Sequence, residues 1–312
     1  MAYRFLSLLA VLLFFAAVTG QAGVRRDDVA DINFTTLAAD PRYQSVGRFL
    51  YSVDGAGYIA SGVLISPEWV LTAAHVVEGN DFLGGGISNM SFTLFSGANS
   101  FVYTAMEWIP HPGWASSGGN VLAGYDIGLV RLGSSVSGFQ PATLHPGGLV
   151  SDPTGTIVGF GSSGTGLTGY QPGSAGTKRA GENVIDAQGD GVTISSSIVF
   201  VDFDRPGVPA ESVIGSSTPL ALEYISAPGD SGGGLFVTEG VNNYLLGITS
   251  FGWGYTDGVP DSDYGDLAGF VAVQPFTTWI ETTTAVPEPG TWGAGALLVA
   301  AAFARWRFVR RS

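Results

Sequence analysis

From Val46 onward the chain alternates short apolar runs with clusters of Gly, Ser, Asn and Pro, and almost none of the runs repeats with a helical period. This pattern predicts strands over 46–52, 58–65, 90–94, 101–108, 127–131, 156–160, 192–203, 220–224, 234–237, 244–251 and 267–273. Helix is expected only as a turn after His75 and over 274–283. Many short strands separated by turn residues predict an all-β sandwich or barrel. There is no internal repeat with a period of 20–50 residues. The Gly-rich stretch 161–181 reads as a long, mobile loop. The segment 21–42 has little periodicity and reads as a leader or loosely packed N-terminal arm.

The two ends differ from this body. Residues 1–20 carry Arg4, an apolar run over 6–18, and small residues at Val18 and Gly20, which reads as an export signal cleaved after Gly20 or Ala22. At the other end, Val286-Pro287-Glu288-Pro289 precedes an apolar run over 292–304 and then Arg305, Arg307, Arg310 and Arg311. That run is shorter than the roughly 17–25 residues of a plain transmembrane helix. The end resembles the PEP-CTERM sorting signal of Gram-negative bacteria. The resemblance implies transient membrane association through 286–312, with 292–304 as the core of a transmembrane helix. It also implies cutting near the Pro-Glu-Pro by an exosortase-like transpeptidase, and delivery to the cell surface or beyond. A permanent C-terminal anchor is the alternative.

Charge and cysteine content narrow the partners. The 312 residues carry a formal charge of −13, and Arg4 and the four terminal arginines lie outside the body, which is therefore more acidic still. Nucleic acid binding needs a basic footprint and is excluded. With no Cys in an exported chain, the fold must rest on core packing.

The candidate chemistry lies in three segments. Gly229-Asp230-Ser231-Gly232-Gly233 offers a nucleophile, Leu71-Thr72-Ala73-Ala74-His75 a base, and Tyr125-Asp126-Ile127-Gly128 a carboxylate to orient the base. His75 ends an apolar strand, and Asp126 sits in an apolar run where a bare carboxylate would be costly to bury. The other histidines, His111 and His145, each precede a proline and read as structural. The order His, Asp, Ser is one of the chain orders in which a Ser-His-Asp triad is known.

These segments, together with Ser61-Gly62-Val63-Leu64-Ile65-Ser66, His111-Pro112-Gly113-Trp114, Gly159-Phe160-Gly161 and Gly247-Ile248-Thr249-Ser250-Phe251-Gly252, resemble the trypsin/chymotrypsin-like serine proteases over about 43–285. The resemblance implies two antiparallel six-stranded β-barrels with a C-terminal helix and a crossover near 140–151. It implies His75, Asp126 and Ser231 as the catalytic residues, with the N–H groups of Gly229 and Ser231 as an oxyanion hole and Ser250 supporting Asp126. Ile225 would floor the substrate pocket, with Ser226, Phe251, Gly252 and Gly269 around it. An apolar or aromatic residue before the cut bond follows. No cofactor or catalytic metal is expected, and the partners are protein or peptide substrates. No activation sequence of the family type precedes Val46, so Asp230 lacks the amino-terminal partner the family uses. A catalytically weak protease-fold binding protein of the extracellular matrix is the alternative reading. The loop with Asp257, Asp261, Asp263 and Asp266 reads either as a solvated acidic loop or as a Ca²⁺ site, although standard Ca²⁺-loop spacing is lacking.

Overall fold

The computed structural model describes residues 23–78, 86–147 and 153–285. The export signal over 1–20 and the sorting segment over 286–312 lie outside the described residues, as does the 148–151 part of the crossover window. Among the described residues no helix is long and apolar enough to cross a membrane.

Six antiparallel strands close into a barrel in the order Val46–Val53, Ala56–Ser66, Trp69–Thr72, Gly128–Leu132, Asn99–Pro110 and Ile87–Ser96. Alternation explains the inward face, since Val46, Phe49, Tyr51 and Val53 are buried along the first strand. Phe49 stands opposite Phe92 in register, and their rings lie 5.0 Å apart in the barrel core. Ala142 still donates its N–H to Leu64 O of this barrel, whereas Thr143–Leu144 pairs with the strand Asn242–Trp253 of the next sheet. The chain therefore crosses between residues 142 and 143.

The second sheet runs Arg179–Val184, Thr154–Gly159, Gly234–Glu239, Asn242–Trp253, Leu267–Ala272, Ile198–Asp202 and Ala187–Gln188. It curls around a core that includes Val199, Val201, Leu235 and Phe270. Its two edge strands, Arg179–Val184 and Ala187–Gln188, do not pair with each other, so it forms a curled half-barrel where six closed strands were expected. From Pro275 the chain belongs to a separate compact unit whose described part holds the helix Thr277–Thr284.

Two expectations need correction. The arm is not loosely packed. Gly23–Arg25 is a strand between Ser163–Thr165 and Tyr224–Ile225, and the helix Asp31–Ala38 follows, with Val24 and Phe34 fully buried. The helix sequence, Asp-Ile-Asn-Phe-Thr-Thr-Leu-Ala, is polar and β-branched and buries only Phe34 and Ala38, which leaves no period to read. The stretch 161–181 is likewise structured. Ser163–Thr165 pairs with Gly169–Tyr170, and Arg179–Val184 forms a sheet strand with Arg179 and Asn183 buried. Burial of such polar residues depends on partners that a hydropathy pattern does not contain.

Candidate active site

Strand register brings the first two segments together. Trp69–Thr72 and Gly128–Leu132 are antiparallel neighbours with Thr72 opposite Gly128. His75, just past the end of one strand, and Asp126, just before the start of the other, therefore emerge at the same end of the barrel. The helix Ala74–Glu78 carries His75, and Trp114 of the His-Pro-Gly-Trp segment donates its indole N–H to Glu78 in that helix.

Asp126 is fully buried and accepts three hydrogen bonds. The backbone N–H of His75 donates to Oδ1 at 2.9 Å, while His75 Nδ1 and Ser250 Oγ meet Oδ2 at 2.8 and 2.5 Å. A carboxylate on Nδ1 keeps the proton on that nitrogen and leaves Nε2 as the acceptor of the neutral ring. Burial by itself would lower the His75 pKa, but the charge and hydrogen bond of Asp126 outweigh it and hold the value above 6.5. Burial pushes Asp126 upward, and the His75 charge and the hydrogen bonds from His75 and Ser250 bring its net value below 3.8. Ser250 lies where the pairing of its strand slips between Thr249 and Phe251. Such a bulge re-aims a side chain out of the pleat.

Ser231 sits partly exposed in a turn between the strands Tyr224–Ile225 and Gly234–Glu239. The first barrel holds this turn through Ser61, a residue whose role sequence reasoning missed. The Ser61 N–H donates to Ser231 O at 2.9 Å, and its hydroxyl donates to Gly229 O at 3.0 Å while accepting the Phe160 N–H at 2.9 Å. Its only signal is a small polar residue within the otherwise apolar run 58–65. The N–H groups of Asp230, Gly232 and Gly233 donate to Ala227, Thr249 and Asp230 carbonyls. Among the hydrogen bonds of the described residues, those of Gly229 and Ser231 donate to nothing. Gly229 has φ +99°, and a Cβ there would lie 2.9 Å from Gly161 Cα, so only glycine fits.

The carboxylate of Asp230 is also fully buried. It fills the space that side chains at Gly159 and Gly161 would need, since a Cβ on either would fall within 2.6 Å of it. That close approach is the physical reason for the Gly-Phe-Gly segment. Its acceptors are used by the N–H groups of Gly161 at 2.7 Å and Ala227 at 2.9 Å, which answers the question of its partner. Burial raises its pKa to about 7, opposed by these two hydrogen bonds and by the charge of Arg179. Arg179 is directly across from Gly159 in the sheet, and its guanidinium forks onto Asp31 of the arm helix with both contacts at 2.6 Å.

A cavity of about 270 Å³ adjoins Ser231. Its wall includes Ser226, Thr249, Phe251, Gly252, Pro260 and Ser262, and none of the lining side chains is charged. Two expected pocket residues are elsewhere. Ile225 is buried in the half-barrel core and pairs with Val24 of the arm, so it does not floor the cavity. Gly269 does not open the cavity either, because the Phe251 ring occupies the place of its missing side chain, 2.4 Å from where a Cβ would be. Gly252 has nothing within 4 Å of that position and does leave room. His111 caps the helix Pro112–Ser116 by accepting the Gly113 N–H at 3.0 Å, and His145 lies between Gly147 O and Glu239, so both are structural.

The family profile described as Trypsin matches residues 39–280. Complement C1s subcomponent of Bos taurus is 29% identical over 240 residues, which is 72% of this chain and 32% of that protein. Brachyurin of Leptuca pugilator is 29% identical over 249 residues, 73% of this chain and 89% of that protein. Chymotrypsin-like elastase family member 1 of Homo sapiens is 35% identical over 88 residues, 28% of this chain and 33% of that protein. The chain spans about a third of the length of the first of these relatives. Among solved structures, neuropsin, a serine protease expressed in the limbic system of mouse brain, superposes with a TM-score of 0.56 at 23% identity, over 78% of this chain and 96% of that one. That likeness bears on the fold.

Proposed function

The chain belongs to the trypsin family of serine proteases, and on that premise we propose that it is an exported serine endopeptidase with Ser231 as nucleophile, His75 as general base and Asp126 as orienting carboxylate. Ser231 Oγ attacks the scissile carbonyl carbon and its proton passes to His75 Nε2. The tetrahedral intermediate collapses to an acyl-enzyme as His75 returns that proton to the leaving amine. Water then repeats the sequence to release the acid. Asp126 stabilises the imidazolium without taking the proton. The free N–H groups of Gly229 and Ser231 receive the oxyanion, and such a donor contributes about 3–4 kcal/mol.

The observation that carries this reading is the buried Asp126 with its three donors, His75 N, His75 Nδ1 and Ser250 Oγ. A carboxylate so arranged on Nδ1 has a clear use when Nε2 must accept a proton. The uncharged cavity supports an apolar or aromatic residue before the cut bond, now through the space at Gly252 instead of Ile225 and Gly269. Removal of 1–20 on export and of the tail near Pro289 by an exosortase-like enzyme completes the reading.

Labelling with a fluorophosphonate tests the nucleophile. Wild type should label at Ser231, while Ser231→Ala and His75→Ala should lose labelling and peptidase turnover and remain folded. An unlabelled wild-type protein would favour the matrix-binding alternative. A mixed peptide library reads the specificity, and dominant cleavage after Arg would overturn the apolar preference. Mass spectrometry of the protein from its host reads both processed ends.

A further inference from the structure

We infer that Asp261, Asp263 and Asp266 form a Ca²⁺ site that fixes one wall of the cavity beside Ser231. One carboxylate oxygen from each residue lies within 4.8 Å of the others. Ca²⁺ binds oxygens at about 2.3–2.6 Å, so ligands on opposite sides of one ion stand about 5 Å apart, and the cluster has the span of a single coordination sphere. Three carboxylates alone would be an ordinary acidic turn. Asp266 makes the difference. It is only 1% exposed, its Oδ2 accepts the Ser262 N–H at 2.8 Å, and its Oδ1 is buried with no partner. The Oδ1 atoms of Asp261 and Asp263 are buried and without partners as well. Among the described residues no Lys or Arg forms an ion pair with any of the three, and Arg205 is engaged with Glu211. Buried carboxylate oxygens that lack both hydrogen bond and counter-charge are costly, and a divalent cation satisfies several at once. An all-oxygen set favours a hard ion, and irregular spacing on a loop suits Ca²⁺ better than the octahedral demand of Mg²⁺.

The placement suggests what the ion does. Asp266 directly precedes the strand Leu267–Ala272, and its carbonyl accepts the Phe203 N–H at 3.0 Å, so it is fixed to the sheet. Asp261 and Asp263 lie on the loop and flank Ser262. Ser262 has φ +64°, its hydroxyl donates to Ser226 O at 2.9 Å, and with Pro260 and Ser226 it lines the cavity next to Ser231. A non-glycine residue holds such a conformation only when its surroundings over-determine it. An ion shared by Asp261, Asp263 and Asp266 would clamp Ser262 from both sides onto the sheet. The three aspartates are thus positioning residues for the cavity wall. This coupling to substrate rests on the peptidase reading, whereas the binding of Ca²⁺ does not.

The test uses the full chain, stripped with EDTA and dialysed, then titrated with CaCl2 or MgCl2 by calorimetry and followed by thermal melting. One saturable Ca²⁺ site is expected, with Tm raised by several degrees and Mg²⁺ at least tenfold weaker. Asp263→Asn, at a partly exposed position, should keep the near-ultraviolet circular dichroism of the wild type and lose at least tenfold in Ca²⁺ affinity. Asp261→Asn serves as a second variant. No saturable binding to wild type, binding by both variants equal to wild type, or equal affinity for Mg²⁺ would each overturn the site. On chelation, KM for a peptide should rise several-fold while fluorophosphonate labelling of Ser231 persists. An unchanged KM would overturn the clamp. Absence of labelling with or without Ca²⁺ would defeat the peptidase reading instead, and the calorimetric result would still decide the site.

Discussion

Asp126 and Asp230 are both fully buried, one in the barrel and one beneath the turn of Ser231, yet their environments drive them in opposite directions. Asp126 faces an imidazole, a hydroxyl and an N–H, and is held below 3.8. Asp230 has two backbone N–H groups and only the indirect help of Arg179, and rises to about 7. Burial pushes both upward. What separates them is a facing group that can carry positive charge in direct contact. The barrel aspartate is therefore suited to stabilise a charge that appears during a reaction. The other is suited to organise peptide groups, and it holds the segments 159–161 and 227–231 together whether ionised or not.

The largest effect expected from this contrast is that of Asp126→Asn. It preserves shape but removes the charge and offers an amide donor to Nδ1, which favours the wrong tautomer. Turnover should fall about 10⁴-fold with little change in KM. In wild type the acid limb of kcat/KM should lie above pH 6.5, because Asp126 raises the His75 pKa and the base must be neutral to act. A variant within tenfold of wild type would show that the two aspartates do not differ in role.

Asp230→Ala should act through structure. It strands the N–H groups of Gly161 and Ala227, at about 1–3 kcal/mol each, and releases the turn that positions the Gly229 and Ser231 N–H groups. Tm should drop, and kcat should fall about 10²-fold or more, as for loss of an oxyanion donor. Unchanged Tm would break the comparison from this side. Ser250→Ala removes one hydrogen bond from Asp126 Oδ2 and leaves the His75 contacts, so kcat/KM should fall only about tenfold, with the acid limb moved slightly.

The smallest effect concerns pH and stability. The folded chain keeps the Asp230 proton up to about pH 7, whereas the unfolded chain releases it near 3.8. Asp230 thus favours the fold at low pH, and this contribution is lost as pH rises from about 4 to about 7. Asp126 works in the other sense and in a lower window. Its contribution is present above 3.8 and is lost as pH falls through its depressed folded value. Calorimetric Tm of Asp230→Asn should be flatter than that of wild type between pH 4 and 7, and equal slopes would remove the asymmetry between the two residues. Arg179→Met should push the Asp230 value above 7, since the Arg179 charge now restrains it.

Much of this was available from the chain alone. Apolar alternation marks the barrel strands because each has one face in the core. The segments with His75, Asp126, Ser231 and Ser250 stand out because a strand end, an apolar run and a Gly-rich turn are local patterns. The expected export and sorting signals rest on the same kind of local pattern, short runs of apolar, small and basic residues at the two ends. Tertiary structure decided whatever depends on long-range partners. The arm helix, the burial of Arg179 on Asp31 and the Ser61 bridge to Gly229 and Ser231 join residues far apart in sequence. The cavity wall also changed, losing Ile225 and gaining Ser262 while Ser226 and Gly252 stay in it, because a strand buries or exposes a residue according to what covers it. Here the N-terminal arm covers Ile225, and nothing in the local sequence around either segment encodes that contact.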